Sequence, residues 1–188
     1  FPRNVMKING RIIVNAEMRR VSVCGATETV VLDEEFAKNH LPNIVDSMPA
    51  CEFVGCMESI RIDERIKIAS DEDFYAEFLA AKIAVKIVKN VGEAVEFINK
   101  HSSKHTEAIL SESPDAVAKF KEEIQSAIVI HNGSTQFADG FEFGFGGEIG
   151  ISTGKLHARG PVALRELTTY KSFVQPADGG YKVRGVVL

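Results

Sequence analysis

Apolar residues first recur at helical spacing at Ile8, Ile12, Ile13 and Ala16, which predicts a helix running through Met18 and stopping near Arg20. Residues 21–27 then turn tightly, with Gly25 directly behind Cys24. The β-branched run 29–32 suits a buried strand. Asp33 follows as an N-cap for a helix carrying Phe36, Leu41 and Ile44, bent or restarted by Pro42. Charge and turn formers dominate residues 58–73, so irregular structure is expected there, with one short strand at 66–68.

Downstream the rhythm becomes regular. Residues 83–88 read as a strand, and Val91, Val95 and Ile98 mark one helix face. Residues 106–110 are the next strand. Ser113-Pro114-Asp115 supplies an N-cap followed by proline at the first helical position, and Val117, Phe120 and Ile124 line that helix. Residues 126–130 are a strand again. This alternation predicts an α/β domain with a parallel sheet and right-handed crossovers. The end of the chain differs: runs 167–174 and 181–187 are β-rich and joined by Asp178-Gly179-Gly180, a hairpin signal.

Composition narrows the classes. At 188 residues, 45% apolar and 26% charged, the chain can bury one good core of an ordinary soluble globular kind. A net charge of −4 without a basic block argues against a nucleic-acid grip. No apolar run approaches the ~18 residues of a membrane helix. The opening FPRNVMKINGR lacks a signal-peptide core and an initiator Met, so secretion is not expected and the chain reads as a trimmed or partial product. Cys24, Cys51 and Cys56 are odd in number and have no metal-type pairing, which fits reduced thiols in the cytoplasm and no metal site.

The candidate chemistry centres on Cys24. Arg19 and Arg20 lie just upstream, where cationic charge would favour the thiolate. Gly25 leaves the sulfur open and frees a backbone N–H for an oxyanion. From the residues alone, a buried inert cysteine outweighs a catalytic one. Seven glycines lie between Gly133 and Gly154. They form neither a dinucleotide fingerprint, since Ile149 stands at the third position, nor a phosphate loop, since Leu156 follows Lys155. His101 and His105 read as a solvated turn at a helix end. His157 and Arg159 read as structural or interface residues, and Lys119, Lys121, Glu122 and Glu123 as a solvated helix face.

Two segments carry a family resemblance: RRVSVCGATETVVLD around Cys24, and residues 126–171, SAIVIHNGSTQFADGFEFGFGGEIGISTGKLHARGPVALRELTTYK. Together they resemble the C-terminal half of the gamma-glutamyl phosphate reductases, of the aldehyde dehydrogenase superfamily, over residues 12–174. The resemblance implies an aldehyde-dehydrogenase-type catalytic domain at 1–135, then a glycine-rich return segment and oligomerisation tail at 136–188. It implies Cys24 as the nucleophile that attacks L-glutamyl 5-phosphate, with NADPH as hydride source, in proline biosynthesis. Glu77 precedes the strand at 83–88 as a ribose-binding carboxylate does in that superfamily, although Ala80 and Lys82 depart from the family pattern and a solvated acid is an equal reading. Arg20, Ser134 and Thr135 fall at the substrate end of the cleft, with loop capping an equal role for Ser134 and Thr135. The coenzyme sheet, which in the family precedes the Cys segment, has no counterpart here. The partners implied are a small-molecule substrate, a second copy through the tail, and a separate coenzyme-binding fragment. A non-enzymatic remnant that folds and self-associates is the rival reading.

Overall fold

The computed structural model describes residues 3–175, with side chains from residue 10 onward. Helix α1 (Arg3–Met18) buries Ile13, Ala16 and Glu17. Turns then lead to strand β1 (Thr29–Asp33) and helix α2 (Glu34–Ser47). The Asp33 carboxylate accepts from the N–H groups of Glu35 and Phe36, satisfying two donors that the helix cannot. Pro42 lies inside α2 without restarting it. Ala37, Leu41, Ile44 and Val45 form its buried stripe, which packs on the sheet.

Strand β2 (Glu52–Gly55) and helix α3 (Met57–Ile62) follow, in a region where the sequence pattern marked neither. Strand β2 has four residues and helix α3 six, too short for a period to develop. Gly55 lies where a Cβ would meet the Ser59 hydroxyl and stand 2.8 Å from the Val85 carbonyl, so close packing between β2 and its neighbours requires glycine there. Strand β3 (Lys67–Ile68) is brief; strand β4 (Lys82–Val88) is the buried centre. Helix α4 (Val91–His101), strand β5 (Thr106–Ile109), helix α5 (Pro114–Glu123) and strand β6 (Ile128–His131) complete the alternation. Asn90 and Ser113 cap the two helices through their side chains.

The strands are parallel in the order β1-β4-β2-β3, with Thr29 opposite Ala84 and Phe53 opposite Ile83. Strands β5 and β6 form a second parallel pair rather than joining that sheet. The core is divided in the same way. One cluster around Leu41, Met48, Ile66 and Ile83 lies under the larger sheet, and another around Val95, Phe120 and Ile124 under β5 and β6. The β1 and β5 segments both line the cavity described below.

Near the end of the described chain, strands β7 (Gly150–Ser152) and β8 (Gly160–Val162) form a small antiparallel pair. It lies upstream of the expected hairpin. Residues 167–175 contain no strand, and the run 181–187 lies outside the described residues. Among the described residues, no helix is long and apolar enough to cross a membrane.

Candidate active site

Cys24 sits in the loop between α1 and β1 and is exposed. This loop has little regular structure of its own, and a turn from far along the chain holds it. Residues Thr135–Phe137 form a single 3-10 turn after β6. The Thr135 hydroxyl donates to the Gly25 carbonyl at 2.6 Å. That uses its one proton, so the 2.8 Å contact with Thr27 has the Thr27 hydroxyl as donor. The Gln136 amide donates to the carbonyls of Ala16 at 2.9 Å and Arg20 at 3.4 Å, and accepts from the Arg19 guanidinium at 3.4 Å. Gly25 is buried against this turn. A Cβ on it would stand 3.0 Å from the Thr135 carbonyl oxygen and 3.3 Å from the Gln136 Cα.

The electrostatics differ from the expectation. Partial desolvation raises the Cys24 thiol above its ordinary pKa, and the negative charges of Glu148 and then Asp139 push the same way. The backbone N–H groups of Cys24 and Gly25 oppose this. The two arginines are not among the groups that move the thiol: Arg19 is turned to Gln136, and Arg20 is exposed with only its carbonyl in the clasp. The thiolate-favouring role given to them is therefore corrected.

A cavity of about 940 Å³ opens beside Cys24. Of the other predicted site residues, Glu77 and Thr135 line it; Arg20 and Ser134 do not. Glu77 is exposed in the irregular segment before β4. Ser134 is buried and its hydroxyl accepts from the Gln136 N–H at 3.3 Å, the capping role. Thr135 is a clasp whose hydroxyl proton is taken by the Gly25 carbonyl and which also accepts from Thr27.

The histidines are also corrected. His101 is no solvated turn: its ring packs with Phe74, Tyr75 and Phe97, at centroid distances of 4.1–6.1 Å. His105 is buried and lines the cavity. Its Nδ1 lies 2.7 Å from the Thr106 hydroxyl, its Nε2 has no partner, and burial lowers its pKa. Arg159 donates to the carbonyls of Gly154 and Gln125, a structural role as expected. Sequence reasoning missed Glu148 altogether. It follows the glycine run, where nothing in the pattern marks it, and its place depends on how the loop 139–148 folds back: Gly140 donates its N–H to Glu148 Oε2 at 2.9 Å. Among the described residues, no group of three His, Cys, Asp or Glu side chains could hold a metal ion.

The parallel α/β fold is one that solved aldehyde dehydrogenases share. The fold matches the crystal structure of an acetylating aldehyde dehydrogenase from Geobacillus thermoglucosidasius with a TM-score of 0.64 at 15% identity, covering 92% of this chain and 49% of that one. A more specific relationship comes from gamma-glutamyl phosphate reductase. The Thermotoga maritima enzyme superimposes with a TM-score of 0.89 at 45% identity, over 96% of this chain and 43% of that one. The Mesorhizobium japonicum protein of that name is 50% identical over 177 residues, 93% of this chain. One from Rhodopseudomonas palustris is 52% identical over 162 residues, 85% of this chain. No family model matches the chain. It is thus related to the gamma-glutamyl phosphate reductases along nearly all of its own length, and spans about two-fifths of theirs (39% and 38% of these two relatives).

Proposed function

We propose that this chain is the catalytic part of an NADPH-dependent gamma-glutamyl phosphate reductase of proline biosynthesis, acting in the cytoplasm on L-glutamyl 5-phosphate. The observation that carries the reading is the exposed Cys24 thiol, beside a large cavity and on a loop whose backbone is clasped by Thr135 and Gln136. In this reading the exposed thiol gives up its proton to solvent, its sulfur attacks the acyl carbon, and phosphate leaves with the C–O electron pair, giving a thioester. The Gly25 N–H, one of two main-chain donors that act on the sulfur, would serve the oxyanion. NADPH, when bound, supplies the hydride that takes the thioester to L-glutamate 5-semialdehyde. The residues present fit only one end of that cofactor. Glu77, exposed at the cavity, would take the ribose hydroxyls on the nicotinamide side. Gly144 and Gly146 have positive φ, but the spacing of the run is not a dinucleotide fingerprint, since Ile149 stands at its third position. The rest of the coenzyme site would come from a separate coenzyme-binding fragment. The exposed Leu167, Tyr170, Phe173 and Val174 favour a tail, within 136–188, that associates with a second copy.

The raised thiol pKa is the one observation that favours the rival, a remnant that folds without activity. Acylation decides between them. The chain incubated with an acyl phosphate should gain the acyl mass on the Cys24 peptide, with no steady NADPH oxidation, because placement of the nicotinamide is worth ~7–11 kcal/mol of the barrier. An unmodified Cys24 peptide counts for the remnant. Brisk NADPH oxidation abolished by Cys24→Ala would mean these residues build the cofactor site themselves.

A further inference from the structure

The four-stranded sheet stops at β1, and the β5–β6 pair stops at β5. These two open edges share one cavity. Every residue of β1 and of β5 lines it, whereas none of β6 does and β4 contributes only its last residue, Val88. The ladders fix which backbone groups the edges leave open. The Glu28 carbonyl accepts from Ala84, so Val30 and Leu32 turn to β4, and Thr29 and Val31 turn away from it. The His105 and Ile109 carbonyls accept from Ile128 and Asn132, so Thr106 and Ala108 turn away from β6 in the same way. Among the described residues, the backbone N–H and C=O groups of these four have no partner.

The cavity also passes from one helix layer to the other. Ile83, Val85 and Ile87 of β4 join the core built with α2. Lys86, between them, points to the opposite face, where its Nζ lies 5.8 Å from the centre of the Phe97 ring of α4. Ile13 and Phe36 line the cavity from the first layer, and Ala94 and Ile98 line it from the second. A space bounded by two strand edges and two helix layers has the shape of a strand position in a three-layer α/β fold. The five residues of β1 give it a length of about 17 Å, at ~3.3 Å per residue.

We propose that the slot between β1 and β5 is the docking site for one extended strand of a separate polypeptide, which bonds to both edges and joins the two sheets. Strand β4 is parallel to β1, and β5 follows β4 through the α4 crossover and so runs the same way. The occupant is therefore parallel to both edges. It meets Ile13 and Phe36 on one side and Ala94 and Ile98 on the other, so it is apolar on both faces. No lysine or arginine lines the cavity, whereas Glu28 ahead of β1, Asp33 at its end and Glu112 beyond β5 all do. Cationic residues at the two ends of the strand match them. This chain covers 39% and 38% of two reductases it resembles, so most of their length lies outside it. The strand is assigned to the separate coenzyme-binding fragment, and for that source alone the proposal rests on the reductase reading.

The probe is the acetylated, amidated peptide Lys-Val-Ala-Val-Ile-Val-Lys, with a control that carries proline at its centre. Added to the full chain, it should slow amide hydrogen exchange at Thr29, Val31, Thr106 and Ala108 at least about tenfold, and the control should not. Val31→Pro and Ala108→Pro each remove one edge donor and leave the β1–β4 and β5–β6 ladders intact. Each should weaken binding of the fluorescein-labelled peptide about tenfold by polarisation, with the urea midpoint showing that the variant folds. Unprotected amides, protection confined to other strands, or equally tight binding by both folded variants overturns the assignment. Should the variants unfold, exchange in the wild-type chain decides alone. If the four amides are already slow without peptide, this chain or a second copy fills the slot and the separate partner falls. Nothing in the test uses Cys24, so a Cys24 that fails to acylate sinks the reductase reading and leaves the slot as it stands.

Discussion

The Thr135 hydroxyl holds the Gly25 carbonyl at 2.6 Å, across 110 residues of sequence. The nucleophile loop therefore depends for its shape on the turn that follows the last parallel strand. Gln136 beside it reaches α1 through the Ala16 carbonyl, which also accepts the Thr27 N–H. The cysteine segment and the turn after the β5–β6 pair are thus tied together at this point, although their cores are separate.

Thr135→Val keeps the shape and removes both hydroxyl bonds. The Gly25 carbonyl loses its partner in a buried position, so a loss of about 1–3 kcal/mol in urea unfolding is expected. Acylation of Cys24 should slow as well, since its neighbour is no longer fixed. Wild-type stability in this variant would mean that water replaces the hydroxyl and the clasp is not structural.

Gly25→Ala tests the same contact from the other side. The added methyl would meet the Thr135 carbonyl oxygen at 3.0 Å, and that oxygen belongs to backbone already tied to the Cys loop. Destabilisation of about 1–3 kcal/mol is expected, as for overpacking elsewhere. Calorimetry of the variant checks the stability, and peptide mapping after brief alkylation should find Cys24 labelled at an altered rate. An unchanged melting temperature would show that the two segments can separate freely.

The thiols should label in order of access. Cys24 is exposed, whereas burial, then Glu17 and Glu52, push Cys51 up to about 12. Iodoacetamide at neutral pH should therefore modify Cys24 well ahead of Cys51 in the folded chain, and urea should remove the difference. Cys51 labelling first under native conditions would contradict the packing around β2.

The parallel alternation was legible because its signals are local. Ser113 with Pro114 marks the start of α5, and the apolar run at 83–88 is long enough to stand out. Strand β2 and α3 were not legible: each spans only a few residues, and Gly55 reads as a turn former until its contacts with Ser59 and Val85 are seen. Cys24 could be singled out, but its electrostatics could not. Sequence neighbours pointed to Arg19 and Arg20, whereas the charges that reach the sulfur come from Glu148 and Asp139, more than a hundred residues away. The Ala16 carbonyl in α1 and the Arg19 side chain just after it are held by contacts with Gln136, which no local pattern encodes.

Glu17 gives the last prediction. It is 1% exposed, with Oε1 unpartnered, and its pKa is raised to about 8 from 4.5, by burial first and by the charge of Glu28 second. The folded chain therefore keeps a proton that the unfolded chain releases above pH 4.5. Below that pH both states are protonated and the residue adds no slope. Between pH 4.5 and about 8 the unfolded state binds fewer protons, so stability falls as pH rises, and above 8 the loss is complete. Glu17→Gln keeps the side-chain shape without the titrating proton, and it should flatten this part of the profile. Urea unfolding of both proteins at pH 5, 6.5 and 8 reads it. An equal fall in the two would place the slope elsewhere, with Glu28 and Glu107, whose pKa values burial also raises, the next groups to substitute.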